Sequence, residues 1–349
     1  MERIGIVGAG AGAAAAAFAL EDATAETSVT VLEKSGGLCG RAATRRRDGL
    51  VYDYGANYLK AADERIVELV TEQLPTGGLV DVTDPVWTFD RDGEIKPGRD
   101  ADDHKWSYER GLTQLAKRLF ARTDATIHRE TRVERLVRDD KAGTWTLEDA
   151  AGNPWGPYDV VVLNPPAPQT AAILEASSWD AGWRGSLVAT LEDVSYRRVW
   201  TGVYHYPFEL DRPYYALVNT DKDHAVGWIS REECKPGHVP DGESLLIVQA
   251  NHEWSVANDG RDPERNLAEL AAVTAGLLED DRLTEPDWTD HQGWRYAIPE
   301  DGAPSEPLVR AESTGLYCVG DWTVGEGRIH AALRSGLEVG ERIAADCRC

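Results

Sequence analysis

Apolar positions recur along the chain with two different periods. Ile4, Ile6 and Val7 make a short apolar strand, Gly8 to Ala13 a glycine-rich turn, and Ala14 to Leu20 a helix of small residues. Val29 to Leu32 reads as a second strand ending at Glu33, so the chain opens with a strand–helix–strand unit. Ala62 to Leu74 reads as an amphipathic helix through Ile66, Leu69 and Val70, and Leu112, Leu115 and Leu119 mark another. The polar stretch between them, Thr76 to Lys105, contains the strand-like Val86 to Phe89.

Thr131 to Val137, Thr144 to Leu147 and Val160 to Leu163 also read as strands. The last is a continuous apolar run suited to a sheet covered on both faces, stopped by Asn164-Pro165-Pro166-Ala167-Pro168. From Leu187 to Asn251 the strands are rich in Val, Tyr and Trp, and a helix follows at Asn266 to Leu278. Leu316 to Val319 is a final strand, and Ile329 to Ile343 a final helix entered through Gly325-Glu326-Gly327. No repeat or low-complexity linker divides the chain. The pattern therefore predicts an α/β Rossmann-like domain, residues 1–75, 108–180 and 291–349, interrupted by a mixed α/β substrate domain, residues 76–107 and 181–290.

Length agrees, since 349 residues suit two domains. Charge narrows the partners: 60 Asp and Glu against 37 Lys and Arg give −23, spread along the whole chain. Such a surface repels nucleic-acid phosphates and anionic lipid. Only eight of the basic residues are Lys. Excess carboxylates with scarce Lys resemble proteins of salt-accumulating cells, where molar salt screens self-repulsion; an Arg-favouring, GC-rich genome is the plainer alternative. Five Cys are too few and irregular for a disulfide framework, no C-x-x-C pair offers a zinc site, and Cys347 and Cys349 receive no role. Met1 to Arg3 lead straight into a strand pattern, and no apolar run approaches the roughly 20 residues of a membrane span. The expectation is a reducing cytoplasm of high salt, with no metal.

Gly8-x-Gly10-x-x-Ala13 matches the dinucleotide fingerprint G-x-G-x-x-G/A. The first glycine allows the tight turn, the second lets a diphosphate approach the backbone, and the third small residue permits close helix packing. The helix start at Ala11 and Gly12 offers free N–H groups and a positive dipole end to the diphosphate. Glu33, with Lys34 beside it, sits where a carboxylate can accept hydrogen bonds from a ribose diol. The fingerprint alone leaves NAD and FAD open.

Downstream motifs carry a resemblance. Gly36-Gly37-Leu38-Cys39-Gly40-Arg41-Ala42-Ala43-Thr44-Arg45 resembles the glycine-arginine motif of flavoprotein amine oxidases and renalases, and Tyr52-Asp53-Tyr54-Gly55-Ala56-Asn57-Tyr58 the D-x-G-A-x-Y segment that follows it there. Gly320-Asp321-Trp322, Gly325-Glu326-Gly327-Arg328 and Ala331 to Gly336 resemble that superfamily's second FAD motif. The resemblance implies non-covalent FAD in an amine-oxidase/glutathione-reductase type fold. It places Gly40 and Arg41 at the diphosphate, Asp321 with Gly320 at the ribityl or diphosphate region, Val133 at the adenine through its backbone, and Asn57 and Tyr58 along the cofactor. The helix after Gly327, starting with Arg328 and Ile329, would aim its N-terminus at the flavin pyrimidine. His330 and Arg328 stand where relatives often carry an acid.

Gln292-Gly293-Trp294-Arg295-Tyr296-Ala297 resembles the W-R-Y-A segment of renalase-like proteins. By that resemblance Trp294 and Tyr296 wall the flavin face and Arg295 meets a substrate phosphate or carboxamide. The implied activity is oxidation of a reduced nicotinamide-type electron donor by hydride transfer to flavin, with oxygen as acceptor. An amine or amino-acid oxidase is the alternative, and a non-catalytic FAD-binding protein a second. After Lys141 only Lys222 and Lys235 remain, both in turn-like settings, so the lysine that amine-oxidising members often place near flavin N5 is not expected. The acidity makes its own prediction. Thermal melts in rising KCl should show Tm climbing steeply toward molar salt as counterions screen 23 excess charges, and a flat or falling curve removes the high-salt reading.

Overall fold

The computed structural model describes residues 1–21, 27–99 and 104–346, so Cys347 and Cys349 lie outside the described residues. Five parallel strands form one sheet, in the order Thr126–His128, Thr27–Leu32, Glu2–Val7, Val160–Leu163 and Leu316–Cys318. Ile4 faces Val29 on one side and Val160 on the other, which puts the first strand at the centre. The run Val160–Leu163 is buried throughout: Val160 and Val162 join the core on one face, Val161 and Leu163 the core on the other. The fold is thus the mixed α/β, Rossmann-like arrangement that the pattern predicts.

The helix Ala11–Glu21 follows the first strand, and every residue from Ala11 to Leu20 is buried. An apolar helix of this kind must be enclosed on all sides. It packs against the second strand, the helix Thr113–Phe120 and, most extensively, the C-terminal helix Ile329–Asp346. Small residues make that last contact possible. A Cβ on Gly336 would overlap the Gly12 carbonyl oxygen, and one on Gly340 would stand 2.6 Å from that of Ala16.

The second sheet has seven strands, in the order Trp288–Pro299, Tyr196–Tyr206, Ser244–Ala250, Val226–Arg231, Ala216–Asn219, Val86–Phe89 and Ile95–Lys96. It is antiparallel except where Ala216–Asn219 lies beside Val86–Phe89. Tyr204, Leu246, Val248 and Ile229 pack on the helix Pro263–Leu278; the opposite face sets Val203, Leu245 and Ile247 against Leu50 and Tyr52. The hairpin Thr44–Arg47 and Leu50–Asp53 therefore connects the two sheets. The boundary expected at residue 291 falls inside the strand Trp288–Pro299. That strand bulges between Trp294 and Ile298, opposite Val199 and Arg197. In place of one helix over Ala62–Leu74, a short α-helix Glu64–Glu68 runs into a wider turn Leu69–Gln73, where the Leu74 amide reaches back to the Leu69 carbonyl just before Pro75. No helix among the described residues is long and apolar enough to cross a membrane.

Gly336 and Gly276 make a matched test of the helix contact. Helix propensity alone would let either glycine gain about 1 kcal/mol on replacement by Ala. Gly276 has open space around its Cβ position, so Gly276→Ala should stabilise; Gly336→Ala should instead destabilise by about 1–3 kcal/mol through overpacking. Opposite signs in urea denaturation support the backbone contact, and equal signs contradict it.

Candidate active site

Gly8 turns the chain out of the first strand at φ 89°, a left-handed conformation that a side chain would strain. Its amide donates to the Leu32 carbonyl at 2.8 Å, and the Gly10 amide to Asn164 Oδ1 at 3.0 Å. Asn164 also donates through Nδ2 to the Val319 carbonyl at 3.2 Å, tying the glycine turn to the end of the last parallel strand. Its importance is visible in the sequence only as the polar residue that stops an apolar run. The amides of Ala11, Gly12 and Ala13 stand in the first helical turn, ahead of any intrahelical acceptor. Glu33, 7% exposed, accepts from the Ala9 amide at 2.7 Å through one oxygen and from the Ser35 amide and hydroxyl at 2.8 and 2.6 Å through the other. Its carboxylate is thus fixed beside the turn, whereas the Lys34 ammonium points away to Gln169 at 3.1 Å. Val133 is buried at the start of its strand, two residues beyond Thr131, whose amide meets the Glu33 carbonyl.

The C-terminal motif closes on the same place. Gly320, at φ 138°, donates to Ser335 Oγ at 3.2 Å, and Asp321 pairs with Arg41 at 2.6 Å. The other arm of the Arg41 guanidinium donates to the carbonyls of Tyr296 and Ala297 at 3.3 and 3.0 Å, inside the bulge of the long edge strand. Motifs from three parts of the chain therefore meet at one guanidinium. Gly327 packs tightly on Pro299 and Ile298. Arg328 is exposed and bonds to the Gly327 carbonyl, Ile329 opens the C-terminal helix, and the buried His330 meets Glu326 at 2.9 Å while its Nδ1 has no hydrogen-bond partner among the described residues. A Cβ on Gly12 would stand 3.1 Å from the Ala332 carbonyl, so the starts of the two helices adjoin.

Trp294 stacks on Tyr54 at 5.4 Å and donates to its carbonyl at 3.1 Å. Arg45 lies 4.1 Å over the other partner in this stack, Tyr54, and bonds Asp290 and Gln292 at 2.8 and 3.0 Å. Burial pushes the Asp290 carboxyl up, but the Tyr52 hydroxyl and Arg45 outweigh it and hold it below the usual range. Tyr296 meets Tyr196 edge-on at 5.4 Å, and Arg295 is exposed. Asn57 and Tyr58 turn toward the seven-stranded sheet. Asn57 Oδ1 accepts from Ser230 Oγ at 3.0 Å, Gln249 Nε2 donates to the Gly55 carbonyl at 2.6 Å, and the Tyr58 ring lies 6.2 Å from both Tyr215 and Trp228.

Lys222 and Lys235 both sit in turns as expected, but whereas Lys222 is exposed the Lys235 side chain is fully buried, 3.0 Å from Asp53 and 2.8 Å from Glu232. A strand-ending sequence with Lys235-Pro236-Gly237 looks like a surface turn, and only the tertiary fold reveals the carboxylates waiting for it. Asp53, Glu232 and His238 approach within 4.8 Å of one another, a spacing that a metal could use, but the Lys235 ammonium already lies between the two carboxylates.

Two family descriptions match the chain. Residues 6–72 match the NAD(P)-binding Rossmann-like domain, and residues 86–344 match the flavin-containing amine oxidoreductases. Among solved structures, a candidate protoporphyrinogen oxidase from Exiguobacterium sp. 255-15 superposes with a TM-score of 0.79 at 16% identity, covering 99% of both chains. Cyclohexylamine oxidase from Brevibacterium oxydans IH-35A gives 0.74 at 14% identity over 100% of both chains. Reduced UDP-galactopyranose mutase gives 0.75 at 12% identity, covering 99% of this chain and 96% of that one. At such identities the likeness is one of fold. Fold and site define an FAD-dependent oxidoreductase. The chain belongs to the flavin-containing amine oxidoreductase family.

The donor set suits FAD: a diphosphate placed at the glycine turn would meet first-turn amides and a helix dipole, with the Arg41 guanidinium to pair its charge. Arg41→Ala should weaken FAD binding by about 1.5–3 kcal/mol, because a charged hydrogen bond is lost and Asp321 is left unpaired beside the diphosphate. Fluorescence titration of the apoprotein with FAD measures this. Unchanged affinity would make the pair a purely structural tie between Arg41 and the edge-strand bulge.

Proposed function

We propose that the chain oxidises a small, reduced nicotinamide-type donor, with FAD held non-covalently by the glycine turn, Glu33, Arg41, Asp321 and the start of the C-terminal helix. When bound, FAD supplies a two-electron acceptor that oxygen regenerates, with hydrogen peroxide as product. The protein's own task is to bind, orient and exclude water. In this reading Glu33 accepts from the ribose diol, the Ala11 to Ala13 amides and Arg41 hold the diphosphate, and Asp321 keeps the guanidinium in register. Trp294, stacked on Tyr54, and Tyr296 wall the flavin, while Arg295 reaches the donor's carboxamide or phosphate. One observation carries the choice of donor. The segment beside Trp294 is joined to the sheet by neutral groups, Asn57, Ser230 and Gln249, which suit a carboxamide, and Lys235 is committed to two carboxylates instead of reaching outward.

A second reading has its own observation. Tyr58 and Trp228, half-buried rings 6.2 Å apart that both pack on the buried Tyr215, offer aromatic faces that can host a substrate ammonium through cation–π attraction, and cyclohexylamine oxidase shares the fold. We place the protein in the cytoplasm of a salt-accumulating cell, where screening lets an anionic donor approach so acidic a surface.

Anaerobic stopped-flow reduction distinguishes the readings. A dihydronicotinamide should bleach the flavin rapidly, and Arg295→Ala should slow that step by about 100-fold through lost near-attack geometry while FAD affinity holds. Reduction by amines alone, faster as pH rises and the free base accumulates, would establish the second reading. No reduction by either class would leave FAD as a bound but non-catalytic ligand.

A further inference from the structure

The buried charges around Lys235 lie outside the chemistry just described, yet they touch the segment that leads to it. Asp53 ends one strand of the connecting hairpin and immediately precedes Tyr54–Tyr58. Its Oδ1 accepts from Thr44 Oγ1 at 2.6 Å and the Leu112 amide at 2.9 Å; its Oδ2 accepts from Ser107 Oγ at 3.2 Å and Lys235 Nζ at 3.0 Å. Glu232 Oε2 accepts from the Asp53 amide at 3.0 Å and faces His238 Nδ1 at 2.9 Å, while its Oε1 lies 2.8 Å from Lys235. His238 Nε2 meets the Tyr108 carbonyl at 2.9 Å; a carbonyl can only accept, so Nε2 carries a hydrogen. All four side chains are fully buried.

Position gives the cluster its meaning. Glu232, Lys235 and His238 belong to the turn leaving the strand Val226–Arg231 of the seven-stranded sheet, whereas Tyr108 and Leu112 belong to the core of the parallel sheet and Asp53 ends the hairpin that connects the two. Both ring nitrogens of His238 face acceptors, the Glu232 carboxylate and the Tyr108 carbonyl, and a ring that donates to both is a second cation beside Lys235, so that two cations balance two carboxylates and no net charge is buried. Neither side is neutral alone: Asp53 without Lys235 is a buried carboxylate, a state that burial opposes and that Lys235, His238 and the Thr44 and Leu112 hydrogen bonds overcome.

We propose that Asp53, Lys235, Glu232 and His238 form a charge-balanced latch that sets the position of Tyr54–Tyr58 against the seven-stranded sheet, and through it the wall of the FAD site. They are positioning residues. The proposal rests on the reading that Tyr54–Tyr58 borders FAD, and the flavin signal of the wild-type protein checks that reading separately. Being sealed from solvent, the latch keeps its strength in salt that screens surface pairs.

The test compares Lys235→Met, which buries one net negative charge, with Asp53→Asn/Lys235→Met, which restores balance by removing both members of a pair. Lys235→Met should raise the FAD dissociation constant by about tenfold or more and diminish the visible circular dichroism of the bound flavin, with the same loss of Tm at low and molar KCl. The double variant should recover the dichroism and come within about threefold of wild-type affinity. If Lys235→Met does not fold, His238→Gln, which also leaves one excess negative charge, is compared with wild type in its place and should show the same losses. A lowered Tm with unchanged FAD affinity and dichroism would make the cluster merely structural, and a double variant no better than Lys235→Met would show that charge balance is not the device. Either result overturns the proposal.

Discussion

The backbone contact between the first and last helices governs the rest of the architecture. Ala11–Glu21 and Ile329–Asp346 come from opposite ends of the chain, and glycines at 12, 336 and 340 let their main chains touch. Close approach of this kind gains many dispersion contacts but tolerates no added methyl group. It brings the start of the C-terminal helix beside the glycine turn, so that two positive helix ends and the Arg41–Asp321 pair share one cradle. Asn164 completes the closure from the middle of the chain by bonding both the turn and the last parallel strand. The diphosphate site proposed for these residues, so far apart in sequence, exists only in the folded protein.

Much of this was legible beforehand because the relevant constraints are local. A glycine at positive φ, a small residue at a helix contact and a continuous apolar run each leave a mark at one position, as at Gly8, Ala13 and Val160–Leu163. Partnerships across the chain leave no such mark. The resemblance points Arg41 at a diphosphate, but only the fold supplies its partners, Asp321 and the bulged carbonyls of Tyr296 and Ala297. Lys235 reads as part of a Pro-Gly turn, and its burial depends on Asp53, 182 residues away. The edge strand Trp288–Pro299 was hidden for a related reason: polar and aromatic residues mix along a half-buried strand, and the bulge between Trp294 and Ile298 breaks the period.

Charge is organised on two scales. The surface carries a large negative excess that salt can screen, while the contact between hairpin and seven-stranded sheet holds paired charges beyond the reach of counterions. In the proposed latch, this separation keeps the hairpin and the seven-stranded sheet in one arrangement while surface repulsion varies with ionic strength.

The central claim is that both ends of the chain build one FAD cradle. Hydrogen–deuterium exchange of the apoprotein and the FAD-loaded protein tests it most directly. Loading should protect amides of residues 8–13, 39–42 and 320–332 together, with one dependence on FAD concentration. Protection confined to the N-terminal turn, with residues 320–332 exchanging as in the apoprotein, would contradict the account.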